Sequence, residues 1–300
     1  MRKVIFYISW LLLFSCSPQK QVNVVTLNIR NQNLNHNTYT WEARLPVFQA
    51  FFEKGNYDII GLQEVTSSQL NNIKSLLIDY DFVGNGRDNG NEKDEYCPVF
   101  FKKNAYSLLA MSQFWLSETP EIAESISWGS SYPRIVTWVK LKSTSSGHIF
   151  FVFNTHFCNM SAFAREKSAA LLLRKIFEIA GDAPVILTGD FNMEKGTPEY
   201  EVLTSNWDRF SSLIDTETFA KKHLNKEAPT FNGFSDQTSA KKIDYILVNS
   251  YFNVSRYQVH EVKENGIFIS DHNPVSVRIN FLFEGKPRPG HVSDAPWETN

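Results

Sequence analysis

Apolar positions fall along this chain in two rhythms, one of strands and one of helices. Val22 to Asn28 alternates apolar and polar positions as a half-buried strand does. Trp41 to Lys54 keeps the helical period of about 3.6 residues, with Pro46 tolerable only near its first turn. After the turn Gly55-Asn56, Tyr57 to Leu62 predicts a short apolar strand. Thr66 or Ser67 can cap a helix running to about Ile78, with Leu70, Ile73 and Leu77 on one face. Pro98 to Lys102, Arg134 to Lys142 and His148 to Asn154 read as strands, the last two joined by the polar loop Ser143 to Gly147. Ser161 to Ala180 is the longest predicted helix and turns Leu171, Leu172, Ile176 and Ile179 to the core. Val185 to Thr188, Ile243 to Val248 and Val275 to Phe281 complete the strands.

Many of these strands are apolar on both faces, which suits sheets covered on both sides. Helices follow several of them, so a mixed α/β arrangement is expected and an all-β sandwich is not. No repeat or linker divides the middle of the chain, and one domain over residues 22–282 is expected. Residues 283–300, with Pro287, Pro289 and Pro296, predict an extended tail. At the other end, Arg2 and Lys3 precede the apolar run Val4 to Phe14, which stops at Ser15-Cys16. That is the pattern of an export signal over residues 1–15, too short for the roughly 20 apolar residues of a membrane span. Leu13-Phe14-Ser15-Cys16 is also similar to a bacterial lipobox. Lipidation of Cys16 would anchor the domain to a membrane, facing the periplasm or cell exterior.

Composition narrows the field further. With 42% hydrophobic and 21% charged residues the chain is neither disordered nor collagen-like, and its 24 Phe and 7 Trp suit a thick core built from sheets. Removing residues 1–15 leaves 28 basic against 32 acidic side chains. That balance argues against a protein wrapped in long nucleic acid, though a local basic patch stays open. Cys97 and Cys158 are the remaining cysteines. They could pair in an oxidising compartment, but no Cys or His spacing suggests zinc.

The chemistry gathers where apolar strands stop. Asn28, Glu64, Asn154, His156, Asp190 and Asn192 all stand at such ends. One of them alone would be a turn former; six point to a cleft served by a rigid scaffold. Asp244 opens a later strand, and Asp271-His272 precedes the last one. Separate carboxylates beside an Asp-oriented His suit attack of water at phosphorus, with a hard cation neutralising the transition state.

Thr26-Leu27-Asn28-Ile29-Arg30, Gly61-Leu62-Gln63-Glu64, Asn154-Thr155-His156, Gly189-Asp190-Phe191-Asn192, Ile243-Asp244-Tyr245 and Ser270-Asp271-His272 occur in that order. Together they resemble the endonuclease/exonuclease/phosphatase family, which includes deoxyribonuclease I-like enzymes and abasic-site endonucleases. The resemblance implies a four-layer α/β sandwich, two packed mixed β-sheets flanked by helices, with the site at one edge. It implies Mg2+ or Mn2+ held chiefly by Glu64, with Asn28 close to the metal or phosphate and Asp271 as a second metal-side carboxylate. Asp190 would orient or deprotonate the water and Asn192 would hold a phosphate oxygen. His272, positioned by Asp244, would contact the scissile phosphate; His156 would bind phosphate or assist the leaving group. Glu95 could orient His156, with Tyr96 as the alternative polar contact, and Arg30 and Arg134 are phosphate contacts or surface salt bridges.

Trp41-Glu42-Ala43-Arg44 and the segment Phe114 to Pro120 are similar to a secreted and cytoplasmic bacterial branch of the family. That branch continues its Asn-Thr-His with Leu-Asp-His, where this chain has Phe157-Cys158-Asn159. The expectation is an exported, divalent-metal-dependent phosphoesterase. The alternative is an inactive phosphate-ligand binding module on the same scaffold. Nucleic acid, lipid, sugar and nucleotide esters all stay open as substrates, and a membrane enters only through the anchor at Cys16.

Overall fold

A computed structural model describes residues 21–34, 38–88, 95–205, 213–237 and 241–282. The export signal, Cys16 and the tail lie outside these residues. In chain order the elements begin with β1 (Gln21–Asn28), α1 (Trp41–Gly55), β2 (Ile59–Gln63), α2 (Ser67–Leu76), β3 (Tyr80–Val83), β4 (Val99–Lys102) and β5 (Tyr106–Trp115). There follow β6 (Ile135–Ser143), β7 (Ile149–His156), α3 (Ala162–Ala180), β8 (Val185–Asp190), α4 (Pro198–Thr204), β9 (Ile214–Asp215) and α5 (Thr216–Phe219). The last are β10 (His223–Leu224), β11 (Asp244–Val248), β12 (Phe252–Val259), β13 (Lys263–Glu264), β14 (Ile267–Phe268) and β15 (Val275–Phe281).

The strands form two large mixed sheets. The first runs β10-β12-β15-β1-β2-β4-β3 and the second β5-β6-β7-β8-β11-β9. Within them β1 is parallel to β2, and β7 is parallel to β8. Their inner faces meet through Val22, Val24 and Ile59 on one side and Val152, Ile186 and Ile246 on the other. α1 and α2 cover the outer face of the first sheet, setting Phe48, Phe52, Leu70 and Ile73 against Val25, Leu27 and Leu62. α3 and α4 cover the second, with Leu172, Ile176 and Leu203 against Phe153, Leu187 and Leu247. The expected four-layer α/β sandwich is the observed one.

Local chemistry explains the helix starts. The Thr66 hydroxyl accepts the Gln69 N–H while the Gln69 side chain returns to the Thr66 backbone, a closed capping box. Pro46 lies beyond the first turn of α1, contrary to expectation. Both it and Glu42, whose carbonyl loses its helical partner, are exposed, which leaves the freed group open to solvent.

The placing of the site follows from the two-residue period. On β1 the inward column reads Val22, Val24, Thr26, Asn28; on β7, Phe150, Val152, Asn154, His156; on β8, Ile186, Thr188, Asp190. Each column starts in the inter-sheet core, crosses a buried polar layer and ends at one edge of the sandwich. In that layer Gln63 Nε2 donates to Thr26 Oγ1 (3.0 Å) and Asn154 Oδ1 (2.7 Å), and Thr188 Oγ1 donates to Asn154 Oδ1 (3.0 Å). Asn154 Nδ2 donates to the Leu62 and Pro98 carbonyls of the opposite sheet. Asn154 is therefore a lock between sheets, one layer beneath the strand-end site in which the sequence had grouped it. β7 and β8 both run two residues further than their apolar stretches.

Candidate active site

Three strand ends leave the sheets through left-handed residues that are not glycine: Arg30 (φ 60°) after β1, Glu64 (φ 59°) after β2 and Asn192 (φ 50°) after β8. Such backbone costs on the order of 1–3 kcal/mol per residue and persists where its surroundings hold it. Here side chains at the strand ends do so. Asn28 Oδ1 accepts the Arg30 N–H (3.0 Å), Glu64 Oε2 accepts the Asn31 N–H (2.9 Å), and Asp190 Oδ1 accepts the Asn192 N–H (3.0 Å). From α1, the buried guanidinium of Arg44 donates to the carbonyls of Ile29, Arg30 and Ile269, tying the end of β1 to the segment entering β15.

Asp190 is the hub. Its Oδ2 accepts from Asn28 Nδ2 (2.9 Å) and faces two imidazoles, His156 Nε2 at 3.4 Å and His272 Nε2 at 3.7 Å. Asn28 Nδ2 also donates to Glu64 Oε1 (3.0 Å), so one amide orients both carboxylates. His272 Nδ1 lies 2.9 Å from Asp244 Oδ2. Burial and the neighbouring Asp244 raise the Asp190 carboxyl to about 7, against the pull of His272 and Asn28. Burial disfavours the charged form of His272, but Asp244 and Asp190 outweigh it and raise the imidazole to about 10. His156 goes the other way: burial, then Arg134, Arg87 and His272, push it well below 6.5. Burial pushes the Glu64 carboxyl up, but hydrogen bonds from Asn28 and the Asn31 backbone, with the charges of Arg30 and His272, hold it below the usual carboxylate range. The site thus combines an ionised Glu64, a carboxylate poised near neutrality, one charged imidazole and one neutral one.

Two donor sets compete for a cation. Ligand atoms of Asp190, Asp244 and His272 all lie within 4.8 Å of one another. That group is already neutralised internally, because a protonated imidazole between two carboxylates has no lone pair to give. Glu64 stays ionised, and its carboxylate oxygens fit a hard cation such as Mg2+ or Mn2+ better. Asn28 turns its nitrogen to the carboxylates and its oxygen to Arg30, so it positions Glu64 and does not itself face an ion.

These groups open into a cavity of about 680 Å³ lined also by Arg30, Arg87, Glu95, Arg134 and Tyr132. The remaining candidates divide. Asp271 sits behind this wall, 3% exposed, paired with Arg30 (3.3 Å) and accepting from the Ser270 hydroxyl. Glu95 reaches the cavity but is clamped by Arg87 (2.6 Å) and Asn31 (3.0 Å), and it makes no hydrogen bond to His156. Tyr96 packs towards α2, its hydroxyl 3.2 Å from Ser67 Oγ, and does not line the cavity. Arg134 lines the cavity and is 6% exposed. Cys97 and Cys158 are buried and unbridged. Arg87 and Asn31 escaped the sequence reading: both lie in polar loop stretches, where no alternation says which way a side chain points.

Comparison with known proteins agrees with this geometry. An endonuclease/exonuclease/phosphatase from Bacteroides vulgatus superposes with a TM-score of 0.82 at 33% identity, covering 87% of this chain and 99% of its own. The mannosyl-6-phosphatase of Bacteroides thetaiotaomicron superposes with a TM-score of 0.78 at 31% identity, covering 87% of this chain and 100% of its own. An uncharacterised protein of Acanthamoeba polyphaga mimivirus is 27% identical over 254 residues, 81% of this chain and 93% of its own. The profile of the Endonuclease/Exonuclease/phosphatase family matches residues 25–272, and the chain belongs to that family.

Proposed function

We propose that this chain is an exported, divalent-metal-dependent phosphoesterase that hydrolyses a small phosphate ester. The observation that carries the reading is Asp190. It is fixed by the Asn28 amide and the Asn192 N–H, faces one charged and one neutral imidazole, and stands beside ionised Glu64. A carboxylate poised near 7 suits a general base at neutral pH. As the new phosphorus–oxygen bond forms, Asp190 takes the proton of the attacking water. Metal bound at Glu64 supplies charge neutralisation for the phosphoryl oxygens. His272 cannot protonate the leaving group. Its Nε2 is 3.7 Å from Asp190, on the side of the nucleophile, whereas in-line displacement sends the leaving oxygen to the far side. The charged imidazole therefore holds a non-bridging oxygen, Asp244 keeps it oriented, and the leaving oxygen takes its proton from water in the open cleft. The likeness to a mannosyl-6-phosphatase supports a sugar phosphate as the first substrate to try.

The test is purified mature protein assayed against sugar phosphates, nucleotides, phospholipids, DNA and RNA, with Mg2+, Mn2+ or chelator. Turnover with metal, its loss on chelation, and a drop of at least a thousandfold in kcat for Asp190→Asn with the fold intact are expected. Full activity of Asp190→Asn would overturn the assignment. Cation binding without turnover of any ester would favour the inactive binding module, the reading that the departures at Cys158 and Asn159 suggest. The export reading is checked separately. The Cys16→Ser protein should leave the membrane fraction, and an unchanged distribution removes the lipid anchor.

A further inference from the structure

The registers order the site along the sandwich edge. In the second sheet β6, β7, β8 and β11 are consecutive neighbours. His156 pairs with Asp190, and Asp190 with Asp244, while Arg134 stands immediately before β6. Arg134, His156, Asp190 and Asp244 therefore form one row. Opposite it, the first sheet sets His272, Asn28, Glu64 and Glu95 in the order β15, β1, β2, β4, with Arg87 held against Glu95. The cleft is polarised, with the hydrolytic groups at one end and two guanidinium groups at the other. Two strand spacings, about 10 Å, separate the backbone at Arg134 from that at Asp190.

The two arginines differ. Arg87 has its carboxylate, Glu95, at 2.6 Å, and its guanidinium lies 5.2 Å from the Tyr132 ring centre. Arg134 is buried, yet among the described residues its guanidinium makes one hydrogen bond, from Nη2 to Asn159 Oδ1 at 3.3 Å, and its Nε and Nη1 find no partner. A buried cation without a counter-charge is costly unless a ligand completes it. Cys158, beside Arg134, stands where the similar bacterial branch has an aspartate. With a thiol in place of a carboxylate there, the guanidinium has no ion-pair partner among the described residues, and Glu95 and Glu64 attract it only from further off.

We infer that Arg134, with Arg87, Asn159 and Tyr132, forms a second anion subsite, and that the substrate is a compact phosphate ester carrying another anionic group about 10 Å from the scissile phosphorus. The inference rests on the phosphoesterase reading for its chemistry, but the subsite is a property of Arg134 and can be tested without turnover. Fructose 1,6-bisphosphate is compared with fructose 1-phosphate and fructose 6-phosphate. The bisphosphate is expected to show a kcat/KM at least tenfold above either monophosphate. Cys158→Asp brings a carboxylate to Arg134, in reach of the Ser161 N–H that now points at the thiol (3.4 Å), and should erase that preference; Cys158→Ser should keep it. Arg134→Met is the second route to the same loss if Cys158→Asp does not fold. A ratio near one in the unmodified protein overturns the subsite. So does an equal fall on all three esters in Cys158→Asp, which would put Arg134 on the scissile phosphate. Thermal stabilisation of Asp190→Asn by the bisphosphate, absent with Cys158→Asp added, supports the subsite even if none of the esters is hydrolysed. In that case the phosphoesterase reading fails and the subsite stands. The absence of both hydrolysis and stabilisation overturns the inference.

Discussion

One carboxylate facing a charged and a neutral imidazole is the residue-scale feature that makes this site testable by titration. His272 owes its charge to Asp244 and Asp190, so Asp244→Asn should lower its imidazole from about 10 towards 6.5, read from the pH dependence of its ring signals by NMR in metal-free protein. An unchanged titration would mean that Asp244 does not orient it. The sign for stability follows. His272 is raised above its ordinary 6.5, so its contribution is full below 6.5 and is lost as pH rises through about 10. Asp190 is raised from 3.8 to about 7, and its folded form therefore loses stability as pH rises from 3.8 through 7. His156, and His260 lowered to about 4, act the other way below 6.5, so the test window lies above it: metal-free protein should grow easier to denature with urea between pH 7 and pH 9, and a flat or rising stability there would contradict the His272 assignment. Glu64, His156, Asp190, Asp244 and His272 could be picked out from sequence because each ends or opens a strand. That rule marks the end of an element but not the face. Glu95 and Tyr96 are adjacent, and alternation sends one to the cavity and the other to α2. Which partner a side chain takes was equally hidden: Glu95 goes to Arg87, a residue with no strand-end signal.

At the scale of elements, the site depends on how closely β2 approaches the second sheet. A Cβ on Gly61 would stand 2.3 Å from Thr188 Oγ1 and 2.8 Å from Asn154 Oδ1. Both atoms belong to the buried polar layer and cannot move without breaking its bonds. Gly61→Ala should therefore cost roughly 1–3 kcal/mol in urea denaturation and lower kcat, because β2 carries Glu64 at its end. A neutral substitution would show that the layer is soft. α1, α2 and α3 were legible because their apolar stripes are long and capped, whereas the short α4 and α5 were not. β12 was not: a bulge between Val254 and Arg256 shifts its buried positions from Phe252 and Val254 to Tyr257 and Val259, so no single period runs through it. β5 was hidden for a related reason. It is an edge strand with its own irregularity between Leu108 and Ala110, and Leu108, Leu109 and Met111 are all exposed.

For the whole molecule, the layer architecture was readable because strands apolar on both faces need cover on both sides. What sequence could not give is that the candidate site is divided between the sheets. Asn28, Glu64 and His272 belong to the first, and His156, Asp190 and Asp244 to the second. Neither sheet alone presents a base together with the groups that orient it, and the polar layer beneath them bonds across the same interface. Hydrolysis should therefore require the packed pair, with no partly unfolded form active. Intrinsic fluorescence can report on both outer layers, since Trp41, the first residue of α1, packs in the layer over the first sheet while Trp138 packs with Phe151 and Phe153 on the second. In urea, the midpoint for loss of activity should coincide with that for fluorescence, as a single cooperative unit demands. Activity lost at lower urea, with fluorescence intact, would instead identify the strand ends as a unit that opens on its own. The left-handed residues at Arg30, Glu64 and Asn192 are where such an opening would begin, and Asn28→Ala, which releases the amide held between Glu64 and Asp190, should advance it.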